Sequence, residues 1–249
     1  MSGATLYKIG GAPLEDSAYL RALAAYLKAL PNPPIVVHGG GKAISRLQAA
    51  FGITPRTIGG LRVTDEQTMA LVAMALIGEA NVNLVAALWC EGVEAQGFHG
   101  ADRGLLRSRP LQHPEGDLGR VGVIHTVRVS VLHEVLRAGV VPVIAPIALA
   151  DDGGLHNVNA DQAAGAIGAA MGVAQVVFLT DVPGVLHEGA VVPQLSRSQA
   201  EALVAAGAAS GGMAVKLRAA LDALSAGASV VRITDIYGLA NGAGTLITA

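Results

Sequence analysis

Cysteine is all but absent from this chain. Cys90 stands alone, so no internal disulfide can staple the fold, and a soluble, reducing, cytoplasmic setting is the expectation. Aromatic residues are nearly as scarce, at 3%, which leaves no stacking platform for bases. Charge is thin as well: 17 Lys and Arg stand against 19 Asp and Glu, a net −2, so no basic field draws the protein to DNA or RNA. Long apolar runs are missing. The longest, Val140 to Ala150, holds two prolines and falls far short of the roughly 18 residues a membrane span requires. No signal-peptide pattern, internal repeat or low-complexity linker is present.

What the chain has in quantity is small and aliphatic residue. Hydrophobic residues make up 52% of 249, enough for one large core. Short β-rich runs alternate with Ala/Leu-rich helical stretches. The pattern predicts strands near Leu6–Ile9, Ile35–His38, Val93–Phe98, Val140–Ile144, Val176–Leu179 and Val230–Ile233. It predicts helices near Glu15–Leu30, Lys42–Phe51, Asp65–Ile77, Ala80–Glu91, Val131–Ala138, Asp161–Met171, Arg197–Ala206 and Met213–Ala226. Strands without period-2 alternation imply burial on both faces, as in a mostly parallel sheet between helices: an α/β fold. Gly104 to Val129 reads instead as hairpins or an inserted flap. With no composition break, two lobes sharing one sheet are expected, the boundary falling near Ala160: residues 1–160 and 161–249.

Two lysines and the glycine turns carry the chemistry. Lys8 sits in the first apolar run just before Gly10-Gly11, and Lys216 follows Gly211-Gly212 by four residues. Between them, Ile35-Val36-Val37-His38 ends in Gly39-Gly40-Gly41. A glycine turn opening a helix offers bare N–H groups to an anion, and lysines can follow a phosphoryl group in flight. Three familiar motifs fail here. A P-loop would need Gly at Val36 and Ser or Thr at Ala43. A dinucleotide fingerprint would need Gly at Ile44. His38-Gly39-Gly40-Gly41 matches an esterase oxyanion motif, but no serine has the G-x-S-x-G elbow; the nearest, Ser210, follows two alanines.

Segments along nearly the whole chain resemble the amino acid kinase family, in particular its branch acting on N-acetyl-L-glutamate. They are Lys8-Ile9-Gly10-Gly11, Val37 to Gly41, Gly60-Leu61-Arg62-Val63-Thr64, Asn157-Val158-Asn159-Ala160-Asp161, Asp181 to Leu186, and Gly211-Gly212-Met213 leading to Lys216. The resemblance implies a three-layer αβα sandwich around a mostly parallel sheet, with the amino acid bound and dimers formed by the N-terminal lobe and ATP bound by the C-terminal one. It implies transfer of the γ-phosphoryl of ATP to the side-chain carboxylate of N-acetyl-L-glutamate, a step of arginine synthesis. Such an acceptor is already ionised, so the catalyst's task is positioning and charge stabilisation.

By resemblance, Lys8 and Lys216 flank the transferring group, and Asp161 pairs with both; on sequence alone Asp161 could equally be a helix N-cap. Gly40 and Gly41 give N–H groups to the acceptor carboxylate or the γ-phosphoryl. The planar fork of Arg62 suits a carboxylate, and Asn157 suits the acetamido group or the α-carboxylate. Gly10, Gly11, Asp181, Gly184 and Ser210 are assigned to the nucleotide. Mg²⁺ is expected on the ATP phosphates, with no dedicated protein cage. The chain departs from the family's Gly-Lys-Asp-Gly-like stretch at His99 to Gly104, where Ala101 replaces the lysine and Arg103 stands nearby, and matches loosely from Thr234 to Gly244. Rival readings are a carrier-protein-linked aminoadipate or glutamate kinase of lysine synthesis, and a non-catalytic amino-acid sensor. Only Met1–Thr5 precede the first strand, too few for an interlocking helix, which predicts a homodimer with little inhibition by arginine and with the helix Asp65–Ile77 contributing to its interface.

Overall fold

Side chains alternate across the first strand, Thr5–Ile9, and the alternation sorts the whole molecule into layers. Tyr7 and Ile9 pack on one face against Leu23, Leu27, Leu84 and Leu88, while Leu6 packs on the other with Ile167 and Leu217. Val36 and Val177 repeat the first choice, Val37 and Val176 the second. Strands buried on both faces need helices on both, and the computed structural model has them. It describes residues 4–11, 13–187, 189–207, 211–225 and 227–248.

Among the described residues, the central sheet has eight strands in the order Gln194–Ser196, Thr245–Thr248, Val230–Thr234, Gln175–Leu179, Thr5–Ile9, Ile35–His38, Val141–Ile144 and Ala95–Phe98. Only the Val230–Thr234 pairing with Thr245–Thr248 is antiparallel. The first strand is central, with Gln175–Leu179 on one side and Ile35–His38 on the other. Chain order reverses about this strand, and the crevice outside its C-terminal end is where open α/β sheets hold ligands. The flap resolves into the hairpin Leu106–Pro110 and Gly122–Val127, joined by Ile147–Ala150 and Leu155–Asn157 in a second, four-stranded sheet.

Helix starts follow their caps. Asp16 caps Ser17–Lys28 by accepting from the N–H groups of Ala18 and Tyr19, and Asp65 accepts from Thr68. Two expected helices, Asp65–Ile77 and Ala80–Glu91, are one helix of 25 residues, Glu66–Cys90. Gly78 marks a break in the sequence pattern, yet the chain passes it by widening into a π-wound segment, Met74–Asn81. This helix is long and apolar enough to span a membrane by length and composition, a feature hidden when it is read as two pieces. Val72, Ala75, Leu76, Leu84 and Leu88 are nonetheless buried in the core. The strand Thr245–Thr248 and the short strand Gln194–Ser196, which complete the sheet, were not anticipated from the sequence.

Candidate active site

The first strand ends in the turn Gly10-Gly11 and the second in Gly39-Gly40-Gly41, and the two turns meet. A Cβ placed on Gly11 would lie 2.8 Å from both Gly40 Cα and Gly40 N, so only glycine allows this approach. Gly39 N–H is spent on Ile9 O at 2.9 Å and Gly10 N–H on Leu179 O at 3.4 Å. Gly40 is the N-cap of the helix Gly41–Ala50 and supplies no side chain to it. Among the described residues, the N–H groups of Gly40 and Gly41 have no backbone acceptor. A helix N-terminus with unspent donors is an anion site.

Beside these turns lies a cavity of about 350 Å³. Lys8, Gly10, Gly11, Asp161, Thr180, Asp181 and Lys216 all line it. Lys8 is carried on the strand and Lys216 on the helix Gly211–Ser225, so opposite ends of the chain deliver the two cations to one space. Lys8 Nζ is 2.8 Å from Asp161 Oδ1. Asp161 is free for this because it is not the cap of its helix. Asn159 is, accepting from the N–H groups of Asp161 and Gln162. Lys216 Nζ pairs instead with Asp181, at 3.1 Å. The expectation that Asp161 holds both lysines is therefore modified: each lysine has its own carboxylate. A hydrogen bond from Thr180 Oγ1, 2.8 Å away, and the Lys216 ammonium hold the Asp181 carboxyl below its usual range.

A second group of residues gathers at the other side of the glycine turn. The hairpin Thr57–Ile58 and Leu61–Arg62 turns through Gly59 and Gly60, both at positive φ, as a two-residue hairpin loop demands. It delivers Arg62 to the start of the helix Gly41–Ala50. The guanidinium donates to Gln48 Oε1, to Ser45 Oγ at 3.0 Å and to Gly41 O at 3.4 Å. All three partners are neutral, and among the described residues no carboxylate pairs with Arg62. Burial pushes its pKa down. A half-buried cation without an anion is a place for one. Asn157 Nδ2 donates to Thr64 Oγ1 at 3.1 Å, and that hydroxyl donates to Arg62 O at 2.9 Å. Asn157 and Arg62 are thus tied by way of the buried Thr64.

Two described residues that the sequence pointed to fall elsewhere. Gly184 is buried against Val191 and Thr245 and does not line the cavity. Ser210 lies outside the described residues. Arg103 forms an exposed ion pair with Glu134 and does not line the cavity. Conversely, Ser45, Gln48, Thr64, Asn159 and Thr180 shape the site without having been singled out. Each acts by orienting a neighbour, and only Asn159, two residues before an acid at a helix start, carried a local signal. Among the described residues no cluster of three or more metal-ligating side chains occurs.

The chain has recognisable relatives among known proteins. A sequence profile described as the amino acid kinase family matches residues 4–235. The chain is 51% identical to the acetylglutamate kinase of Roseiflexus sp. (strain RS-1), covering 97% of this chain and 92% of that protein. It is 44% identical to the acetylglutamate kinase of Chloroflexus aurantiacus (strain ATCC 29366 / DSM 635 / J-10-fl), over 100% of this chain and 98% of the relative. Among solved structures it resembles N-acetylglutamate synthase from Neisseria gonorrhoeae, determined with coenzyme A and N-acetyl-glutamate. The TM-score is 0.84 and the identity 27%, over the whole of this chain and 60% of the synthase.

Proposed function

This chain belongs to the amino acid kinase family, and we propose that it phosphorylates the side-chain carboxylate of N-acetyl-L-glutamate with ATP, forming N-acetyl-L-glutamyl 5-phosphate for arginine synthesis. The observation that carries the reading is the convergence of Lys8 and Lys216 on one cavity beside two touching glycine turns. Arg62 receives the α-carboxylate, which supplies the anion that its neutral partners lack. Asn157 faces the acetamido group. Gly40 and Gly41 N–H groups hold the acceptor carboxylate and the moving phosphoryl group. Lys8 and Lys216 offset the charge that spreads over the phosphoryl oxygens in the transition state. Asp161 and Asp181 fix the two ammonium groups, and Gly10 and Gly11 border the phosphates. Mg²⁺ would arrive on the ATP phosphates and supply further neutralising charge there.

The residues 1–160 supply Gly40, Gly41, Arg62 and Asn157, and the residues 161–249 supply Asp181 and Lys216. That division supports an amino-acid lobe and a nucleotide lobe sharing the sheet, with Gly10 and Gly11 reaching the phosphates from the first. The single cysteine fits a cytoplasmic enzyme. Purified protein is expected to release ADP with N-acetyl-L-glutamate and far less with free glutamate, aminoadipate or carrier-linked acceptors. Turnover with those alternatives but not with N-acetyl-L-glutamate would overturn the reading.

The proposal extends to a homodimer. The outer face of the long helix shows Met74, Val82 and Trp89 to solvent at 56%, 56% and 66%. Their spacing places them along one stripe. The stripe borders the edge strand Ala95–Phe98, which among the described residues has a neighbour on one side only. Between them is an apolar cavity of about 490 Å³. An open edge and an apolar stripe side by side are what a second copy would cover. Light scattering is expected to give twice the 25.1 kDa chain mass, and Val82→Glu with Trp89→Glu to give the monomer. A wild-type monomer or hexamer would refute the assembly.

A further inference from the structure

The π-wound part of the long helix touches the glycine turn at two points. Leu76 and Ala80 lie under Gly40: a Cβ there would collide with Leu76 and sit 3.6 Å from Ala80 Cβ. One residue further on, Asn81 is buried and reaches His38, the fully buried residue that precedes Gly39-Gly40-Gly41. Asn81 Nδ2 is 3.0 Å from His38 Nε2 and 2.9 Å from Val143 O. On the other side of the ring, His38 Nδ1 is 2.9 Å from Gly39 O. Room for the Asn81 amide is made by Gly97, where a Cβ would collide with Asn81 Oδ1.

These contacts allow one arrangement of protons. Val143 O and Gly39 O are carbonyl oxygens and can only accept. Val143 O therefore fixes which end of the Asn81 amide is the NH₂ group, and Gly39 O places the imidazole proton on Nδ1. The second Asn81 N–H then meets a bare Nε2. Protonating that nitrogen would set donor against donor, and burial already holds the His38 pKa at about 4. The consequence reaches the ligand side. Gly39 C=O and Gly40 N–H belong to one trans peptide unit and point opposite ways. Holding the carbonyl back against His38 aims the Gly40 N–H forward. The preceding Gly39 N–H is pinned on Ile9 O, so the turn is held on both sides.

We infer that Asn81 and His38 are positioning residues for phosphoryl transfer: Asn81 locks His38 as the neutral Nδ1–H tautomer, and His38 in turn orients the Gly39–Gly40 peptide toward the reacting carboxylate. This rests on the kinase reading given above. The π winding has a role in it, since it brings Leu76, Ala80 and Asn81 together beneath the turn.

Kinetics and imidazole spectra test it together. His38→Ala and Asn81→Ala are expected to lower kcat by about 10- to 100-fold, with KM for ATP changed by less than about twofold, because only donor alignment is lost. His38→Asn restores an N–H donor at the Nδ1 position and should recover most of the loss; His38→Gln, whose amide reaches toward Nε2, should not. In ¹⁵N-labelled wild type at neutral pH, the His38 ring, assigned by its absence in His38→Asn, should show a protonated Nδ1 and a bare Nε2. Asn81→Asp should shift that ring toward a protonated Nε2. Wild-type kcat in both alanine variants of an active enzyme, a protonated Nε2 in wild type, or His38→Asn no better than His38→Gln would each overturn the inference and leave the kinase reading standing. Wild-type protein without turnover on any acceptor would overturn both. If His38→Ala does not fold, Asn81→Ala and the wild-type spectrum still decide.

Discussion

Replacing Lys8 with alanine is expected to lower kcat by on the order of 10²-fold or more, and Lys216→Ala to do the same, as the loss of one preorganised donor does. The two losses should differ in kind. Lys8 Nζ is 2.8 Å from Asp161 in a mostly enclosed setting. Its removal deletes a cation and also leaves the Asp161 carboxylate facing two incoming anions. Lys216 pairs with Asp181, which is largely exposed and can be hydrated when its partner goes. Lys8→Ala should therefore be the more damaging, and Asp161→Asn should recover part of the loss in a Lys8→Ala background. Neither lysine variant should much alter acceptor affinity. Arg62→Ala should behave oppositely, raising KM for the acetylated amino acid first. Steady-state kinetics with ADP detection separates these cases. A Lys8→Ala enzyme turning over at near the wild-type rate would remove Lys8 from the chemistry.

Much of the architecture behind that prediction was legible in the sequence, for a physical reason. Ile35-Val36-Val37 and Val176-Val177-Phe178-Leu179 are continuous apolar runs, and such runs have few homes other than a sheet buried on both faces. The glycine turns were legible because the close approach of Gly11 to Gly40 admits no other residue. Boundaries were less so. Gly78 looked like the end of a helix, and only tertiary contacts from Leu76, Ala80 and Asn81 show why the helix continues through it as a π segment. The strand Thr245–Thr248 is short and pairs with partners that sequence cannot specify. Within the site, the lysines and the glycine turns stood out by type and context, whereas the neutral side chains that hold Arg62 did not. Ser45 and Gln48 are ordinary helix residues, and Thr64 an ordinary loop residue, until Arg62 is folded against them. The same holds for the carboxylates. Nothing in the spacing of Asp161 and Asp181 says which lysine each will meet.

Gly11→Ala should be among the most damaging single-atom additions to this protein. The new Cβ would stand 2.8 Å from Gly40 Cα and Gly40 N and 3.0 Å from Gly41 N. All of these are backbone atoms, so no side-chain rotation can relieve the contact. The two turns must part by on the order of 1 Å, and a displacement of that size at a reacting centre costs about 10²-fold in rate. The fold itself should survive with a lower melting temperature, since overpacking of one methyl group typically costs about 1–3 kcal/mol. Gly41→Ala is the control. Among the described residues a Cβ on Gly41 meets no atom within 4 Å, so its melting temperature should match wild type. Thermal unfolding and kinetics on both variants give the comparison. If Gly11→Ala kept wild-type kcat, contact between the two glycine turns would be a matter of packing, and transfer would not depend on their spacing.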